Sequence, residues 1–168
     1  MKILYQDLLK FLSKKPSKKI LSEKLFQLGH EHEINGDIFD MELTPNRGDC
    51  LSLMGLSRDL NIFFGQSNYL EIYEDHIEEL DIDFINLSPD TCPKISFLEI
   101  EIDDLIHEYK PYLNNYFSQL DNNKVNFFTD ISNYVSYELG QPTHCFDKDL
   151  VSSQLIYEDK NCDQEFDT

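Results

Sequence analysis

Asp130-Ile131-Ser132-Asn133-Tyr134-Val135-Ser136-Tyr137-Glu138-Leu139-Gly140-Gln141-Pro142-Thr143-His144-Cys145-Phe146-Asp147 is the stretch around which the rest of the chain is organised. Ile131, Tyr134, Val135 and Leu139 recur at helical spacing, which predicts a short amphipathic helix. Thr129 or Asp130 suits its N-terminus, and Gly140 stands where a left-handed residue closes a helix. Gln141-Pro142 then stops any continuation. Ser132, Asn133 and Glu138 fall off the apolar face, and His144 lies just beyond the turn. Polar side chains gathered beside a packed helix suit a pocket for a small molecule or a nucleotide end.

Working outward, Pro111 fits a first helical position, and Leu113, Tyr116, Phe117 and Leu120 trace one helix face, broken by Asp121-Asn122-Asn123. Val125, Phe127 and Phe128 are expected as a short strand leading into the helix after Asp130. Ile82–Asn86, Ile95–Ile102 and Leu155–Tyr157 are also expected as strands. Upstream, Lys2 to Leu12 predicts a strand running into a helix, and Ser17 caps a helix with Leu21, Leu25 and Leu28 on one stripe. Asn35-Gly36-Asp37 is a turn between two extended segments, Glu31–Ile34 and Ile38–Leu43, hence a hairpin. His30-Glu31-His32-Glu33 can ligate a metal only with partners from elsewhere, so a solvent-exposed strand edge is the favoured reading.

A second block, Glu42-Leu43-Thr44-Pro45-Asn46-Arg47-Gly48-Asp49-Cys50-Leu51-Ser52, followed by Gly55-Leu56-Ser57-Arg58-Asp59, reads as a loop entering a helix. Asp49 is its expected cap, and Leu53, Leu56, Leu60 and Phe63 its expected buried face. Arg47 and Arg58 have two readings: ion pairs with Asp49, Asp59 or Glu42, which is favoured, or contacts with a partner or RNA.

The balance of 14 basic and 32 acidic residues gives a formal net charge of −18, which repels phosphate backbones. Lys14, Lys15, Lys18 and Lys19 form a small basic group, read as a solvated turn in preference to an RNA contact. At 40% hydrophobic and 12% aromatic residues the composition is that of a folded chain. No apolar run approaches the roughly 20 residues of a membrane span. Cys50, Cys92, Cys145 and Cys162 have neither zinc-site nor disulfide-scaffold spacing, so buried reduced thiols are expected, with no metal.

The two blocks carry a resemblance. The first is similar to the editing-domain signature of the bacterial phenylalanyl-tRNA synthetase beta subunit: an aspartate, Thr/Ser-Asn-Tyr-Val, Glu, Gly-Gln-Pro and His-x-Phe-Asp in this order. The second resembles the Thr-Pro-Asn-Arg-x-Asp-Cys-Leu run upstream in that subunit. The resemblance implies an α+β chain: a small N-terminal α/β domain over residues 1–65, an acidic linker over 66–80, and the first part of a mixed α/β editing domain over 81–168. It implies that the subunit's oligonucleotide-binding-fold insertion is absent, its place taken by the Asn35-Gly36-Asp37 turn, and that the chain stops within the editing domain.

By position, Ser132, Asn133 and His144 match the editing pocket. Asn46, Arg47, Asp49, Arg58 and Glu138 are expected in structural or interface roles, with no aminoacylation residue in this chain. Ser132 stands for the commoner threonine and Cys145 for alanine; a Cys145 thiol nucleophile is disfavoured. The alternative reading of the pocket is structural, with Asn133 and Glu138 tying down the turn. The implied activity is part of a phenylalanine–tRNA ligase, with ATP and Mg2+ bound outside this chain, an alpha subunit as partner, tRNA contacted weakly or indirectly, no membrane, and a cytoplasmic location. The competing class is a non-enzymatic assembly module. A free-standing deacylase is disfavoured by the low basic content.

Overall fold

A computed structural model of the chain describes residues 1–66, 80–103, 108–151 and 154–159. Helices and small sheets are mixed, as the α+β expectation holds. The residues group into two units, one of 1–71 with 106–145 and one of 72–105 with 146–168. The expected linker over 66–80 falls almost wholly on residues 67–79, outside the described residues.

In the first unit, β1 (Lys2–Leu4) runs directly into α1 (Tyr5–Lys10), and α2 spans Lys18–Gln27. The hairpin β2 (Glu31–Asn35) and β3 (Ile38–Glu42) follows, closed by a turn whose Gly36 has φ +63°. No inserted module interrupts this hairpin. The sheet order is β1-β3-β2, all antiparallel, with Phe39 opposite both Ile3 and Ile34. Phe39 and Met41 are buried, and Asp40 and Glu42 face outward or to the side, the alternation expected of a half-buried strand. Ser17 caps α2 by accepting from the Ile20 amide.

A 3₁₀ turn, Gly48–Cys50, precedes α3 (Leu53–Phe63). The helix is capped by Ser52, which accepts from the Gly55 amide at 3.0 Å, and not by Asp49, whose carboxylate is engaged with arginines. Leu53, Leu56 and Leu60 are buried, whereas Phe63 is exposed and the next residue, Phe64, packs against the core in its place. Asn61 is fully buried; its Oδ1 accepts from the Ser13 amide and its Nδ2 donates to the Phe11 carbonyl, so it holds the end of α1.

Helix α4 (Pro111–Leu120) buries Leu113, Tyr116, Phe117 and Leu120, the face its periodicity indicates. Helix α5 (Phe127–Leu139) starts earlier than expected. Asn126 is the cap, accepting from the Thr129 amide at 3.0 Å, so Phe127 and Phe128 are helical and not a strand. The buried residues of α5 are Asp130, Tyr134 and Tyr137, with Ile131 and Val135 half-buried and Leu139 exposed. The aromatic rings of Tyr116, Tyr134 and Tyr137 pack against one another, and these helices thereby join the core built by β1, β3 and α3.

The Tyr137 hydroxyl accepts the Leu4 amide at 3.2 Å, tying α5 to β1. Tyr137→Phe should lower stability by about 1–2 kcal/mol, since a buried amide loses its acceptor while the ring remains; urea unfolding measures it, and an unchanged midpoint would refute the tie.

The second unit contains β4 (Asp83–Asn86) and β5 (Gln154–Tyr157), paired in parallel with Phe84 opposite Leu155. Asn86 accepts from the Ser88 amide and donates to the Cys92 carbonyl, fixing the turn through Pro89. Residues 95–102 are not a strand, contrary to their alternating pattern. Alternation marks two faces, but a strand also needs a ladder neighbour, and none pairs with this segment among the described residues. None of the described helices is long and apolar enough to cross a membrane.

Candidate functional site

The left-handed Gly140 (φ +75°) ends α5 and turns the chain back along the helix. Three hydroxyl groups hold the returning strand of the turn. Ser132 Oγ donates to the Thr143 carbonyl at 2.5 Å and lies 2.9 Å from Thr143 Oγ1, which in turn donates to the Ser132 carbonyl. Ser136 Oγ donates to the Gln141 carbonyl at 3.0 Å. Ser132 and Ser136 thus tie the turn, the role that sequence reasoning gave to Asn133 and Glu138 in its structural alternative.

Asn133 lies one helical step away, and its side chain is exposed. With Ser136 and Tyr137 it lines an open cavity of about 500 Å³, closed on its other sides by Met1, Leu51, Tyr116, Phe117, Asn122 and Asn123. Neither Ser132 nor His144 lines that cavity. His144 is exposed on the turn just after Thr143. The three expected pocket residues therefore share one helix–turn unit, with Asn133 alone on the cavity. Glu138 is half-buried, accepts from the Tyr134 hydroxyl at 3.4 Å, and is raised above the ordinary carboxylate range by burial. Cys145 is exposed, contrary to the expectation of buried thiols, with Sγ 3.6 Å from the Phe128 carbonyl; Cys92 is half-buried, and Cys162 lies outside the described residues.

The end of α5 also meets the start of α3. A methyl group at Gly140 would lie 2.8 Å from Ser52 Oγ, so the end of α5 rests against the cap of α3.

Around that cap the Thr44–Asp59 block forms a charged knot. Arg47 Nε donates to Asp49 at 3.0 Å and its Nη2 reaches Asp59. Arg58 pairs with Asp59 at 2.9 Å and also with Asp49. Hydrogen bonds from Arg47 and then Arg58 hold the Asp49 carboxyl well below its usual range. Burial pulls Asp59 up, yet the same two guanidiniums leave it below the ordinary value. Asn46 is exposed in the turn before Arg47.

Two buried polar residues here, His30 and Asp130, escaped the sequence reading. His30, expected in an exposed edge, is 2% exposed, because Gly29 (φ +84°) turns the chain inward after α2. Burial, and secondarily Arg47, lowers its pKa. Cys50 is buried, as expected of its thiol, which burial pushes up to about 11. One ligand atom each of His30, Cys50 and Asp59 falls within 4.8 Å of the others. Asp130 is fully buried and accepts from the Tyr109 hydroxyl and the Val125 amide. An acidic residue within an aromatic helix is a legible hint of such a role.

Comparison with known proteins places these elements. The family model described as the B3/4 domain matches residues 102–168, which include α4, α5 and the turn bearing His144. The phenylalanine–tRNA ligase beta subunit of Blochmanniella floridana is 33% identical over 129 residues, covering 73% of this chain and 16% of that protein. This chain is a relative of the phenylalanine–tRNA ligase beta subunit. The counterparts from Psychrobacter arcticus and Rickettsia bellii agree, at 26% identity over 131 residues and 27% over 135, covering 73% and 78% of this chain and 16% and 15% of those proteins. The chain thus spans about one sixth of the length of the curated relatives it matches. No solved structure matches it.

Proposed function

We propose that this chain serves as part of a phenylalanine–tRNA ligase beta subunit and contributes one wall of a hydrolytic editing pocket at the C-terminal half of α5. The observation that carries the reading is the match of residues 102–168 to the B3/4 domain, within which Asn133 opens onto a cavity large enough for an aminoacyl–adenosine end. A ligase pocket that accepts phenylalanine rejects poorly an analogue bearing one added hydroxyl, so a second site that hydrogen-bonds this hydroxyl supplies the missing discrimination.

In this reading the Asn133 carboxamide binds the substrate end or a water, and His144 on the turn positions the terminal adenosine or the attacking water. Ser132 acts mainly by holding the turn that presents His144, since its hydroxyl is already engaged by Thr143. ATP and Mg2+ serve the attachment of phenylalanine outside this chain, the alpha subunit is the assembly partner, and the setting is the cytoplasm. The net charge of −18 supports a tRNA grip supplied mainly by other parts of the enzyme.

The test is hydrolysis of tyrosyl-tRNA by the enzyme assembled with its alpha subunit. Asn133→Ala and His144→Ala should each lower hydrolysis about 10²-fold, the scale of a positioned polar group in catalysis, while phenylalanine attachment stays at the parent rate. Unchanged hydrolysis in both variants would refute the editing role.

A second reading, a non-enzymatic assembly module, is favoured by Ser132 being committed to the turn and by the absence of Ser132 and His144 from the cavity wall. It predicts that both variants still co-purify with the alpha subunit and that the parent shows no hydrolysis.

A further inference from the structure

The charged knot at the start of α3 holds a constellation that the editing reading does not use. His30 comes from the turn after α2, Cys50 from the 3₁₀ turn, and Asp59 from α3, three elements distant in sequence. Their imidazole nitrogen, thiol sulfur and carboxylate oxygen lie within 4.8 Å of one another. His30 is 2% exposed and Cys50 is fully buried. His30 Nε2 is sealed from solvent and has no hydrogen-bond partner. A buried polar nitrogen left in that state costs on the order of 1–3 kcal/mol, so its position invites a ligand.

We propose that His30, Cys50 and Asp59 form a three-ligand binding site for a zinc-class divalent cation. The donor set selects the metal. Magnesium and calcium take oxygen ligands, whereas nitrogen and sulfur together suit zinc and its thiophilic neighbours. Zinc bonds of about 2.0–2.3 Å place ligand atoms roughly 3.3–3.8 Å apart in a tetrahedron. Cys50 Sγ and Asp59 Oδ2 already stand 3.8 Å apart, and the His30 nitrogen, within 4.8 Å of both, has to move inward by up to about 1 Å. Three protein ligands leave one position for water.

The spacing of the four cysteines argued against zinc because a site rich in sulfur needs a close Cys pair. This site uses a single sulfur and draws the other ligands from folds of the chain that no local motif reveals. Metal binding breaks the Cys50 S–H bond, forms the sulfur–metal bond and passes the proton to solvent.

Arg47 holds the place of the cation in the structure. Its Nη2 is 2.8 Å from Cys50 Sγ and also pairs with Asp59. The side chain is 28% exposed and keeps Asp49 as a second partner, so it can swing outward when a metal takes Asp59. A bound cation would pin the end of α2 and the 3₁₀ turn to α3, stapling the sheet side of the unit to the helix that abuts the α5 turn.

Cobalt(II) titration of the full chain under reducing conditions tests this. Saturation at one equivalent is expected, with the near-ultraviolet thiolate-to-cobalt band and the intense visible bands of a tetrahedral ion. Cys50→Ala should lose both, and His30→Gln should no longer saturate at one equivalent. A variant with Cys92→Ser, Cys145→Ser and Cys162→Ser should keep them and show a Tm raised by zinc and lowered again by a chelator. Those last two results decide the matter even where Cys50→Ala or His30→Gln fails to fold. Absence of the bands from the parent, their survival in a folded Cys50→Ala chain, or a Tm of the triple variant indifferent to zinc would overturn the site.

Discussion

Gly55→Ala should destabilise the N-terminal unit by about 2–3 kcal/mol, although the substitution improves helix propensity. Gly55 lies in the first turn of α3, and in an exposed helix alanine is favoured over glycine by about 1 kcal/mol. Packing reverses the sign. A Cβ at this position would lie 1.9 Å from the Asp49 carbonyl oxygen and 2.9 Å from its carbonyl carbon. Both are backbone atoms in the 3₁₀ turn, so no flexible side chain can yield. Relief requires sliding α3 away from the turn, which strains the Ser52 cap and the buried packing of Leu53, Leu56 and Leu60. Thermal and urea unfolding measure the loss. Gly48→Ala is the matched comparison, since a Cβ there meets nothing within 4 Å, and it should shift stability by less than about 0.5 kcal/mol. A Gly55→Ala chain more stable than its parent would show that propensity outweighs the close approach.

Asp130→Ala should cost about 2–4 kcal/mol, because it strips two donors of one buried acceptor. Asp130 Oδ2 accepts from the Tyr109 hydroxyl at 2.5 Å, and Oδ1 accepts from the Val125 amide at 3.0 Å. The side chain therefore fastens the segment before α4 and the loop after it onto α5, and it lies on the same helix just before Ser132 and Asn133. Asp130→Asn keeps one accepting oxygen and should lose about half as much. Urea unfolding of both variants gives the ranking; equal stability of Asp130→Ala and the parent would sink the account.

A pH consequence follows from the same pair. Burial, and then the Asp130 bond, push Tyr109 up to about 12 from its ordinary 10.0. A folded-state pKa above the unfolded one gives stability that is whole below the unfolded value and is lost as pH rises through the folded one. Stability should thus fall between about pH 10 and 12, and Tyr109→Phe should remove one proton's share of that slope, the remainder coming from Tyr116, Tyr134 and Tyr137, which burial also raises.

If His144 sits on a turn whose geometry depends on Ser132, Ser136 and Gly140, then structural variants will also disturb the proposed pocket. Gly140→Ala combines a left-handed backbone with a Cβ 2.8 Å from Ser52 Oγ, so any activity it loses would report the turn and not the chemistry. For this reason Asn133 and His144, which carry exposed side chains, are the informative positions for hydrolysis.

The sequence by itself determined the local elements: the β2–β3 hairpin from Asn35-Gly36-Asp37, α2 from its Ser17 cap, and α4 from Pro111 with its stripe of Leu113, Tyr116, Phe117 and Leu120. Caps, turns and periodicity act between residues a few positions apart, so their physics is written in adjacent letters. The two motif blocks likewise carried the relationship to the beta subunit. Only the tertiary structure decided that Asp130, Tyr134 and Tyr137 are the inward face of α5, that Ser52 and not Asp49 caps α3, and that residues 95–102 find no ladder partner among the described residues. It alone brought His30, Cys50 and Asp59 together. The inward face of α5 and the approach of His30 to Cys50 and Asp59 follow from packing elements distant in sequence, and the Ser52 cap follows from arginines that engage Asp49; none of these leaves a periodic pattern to read.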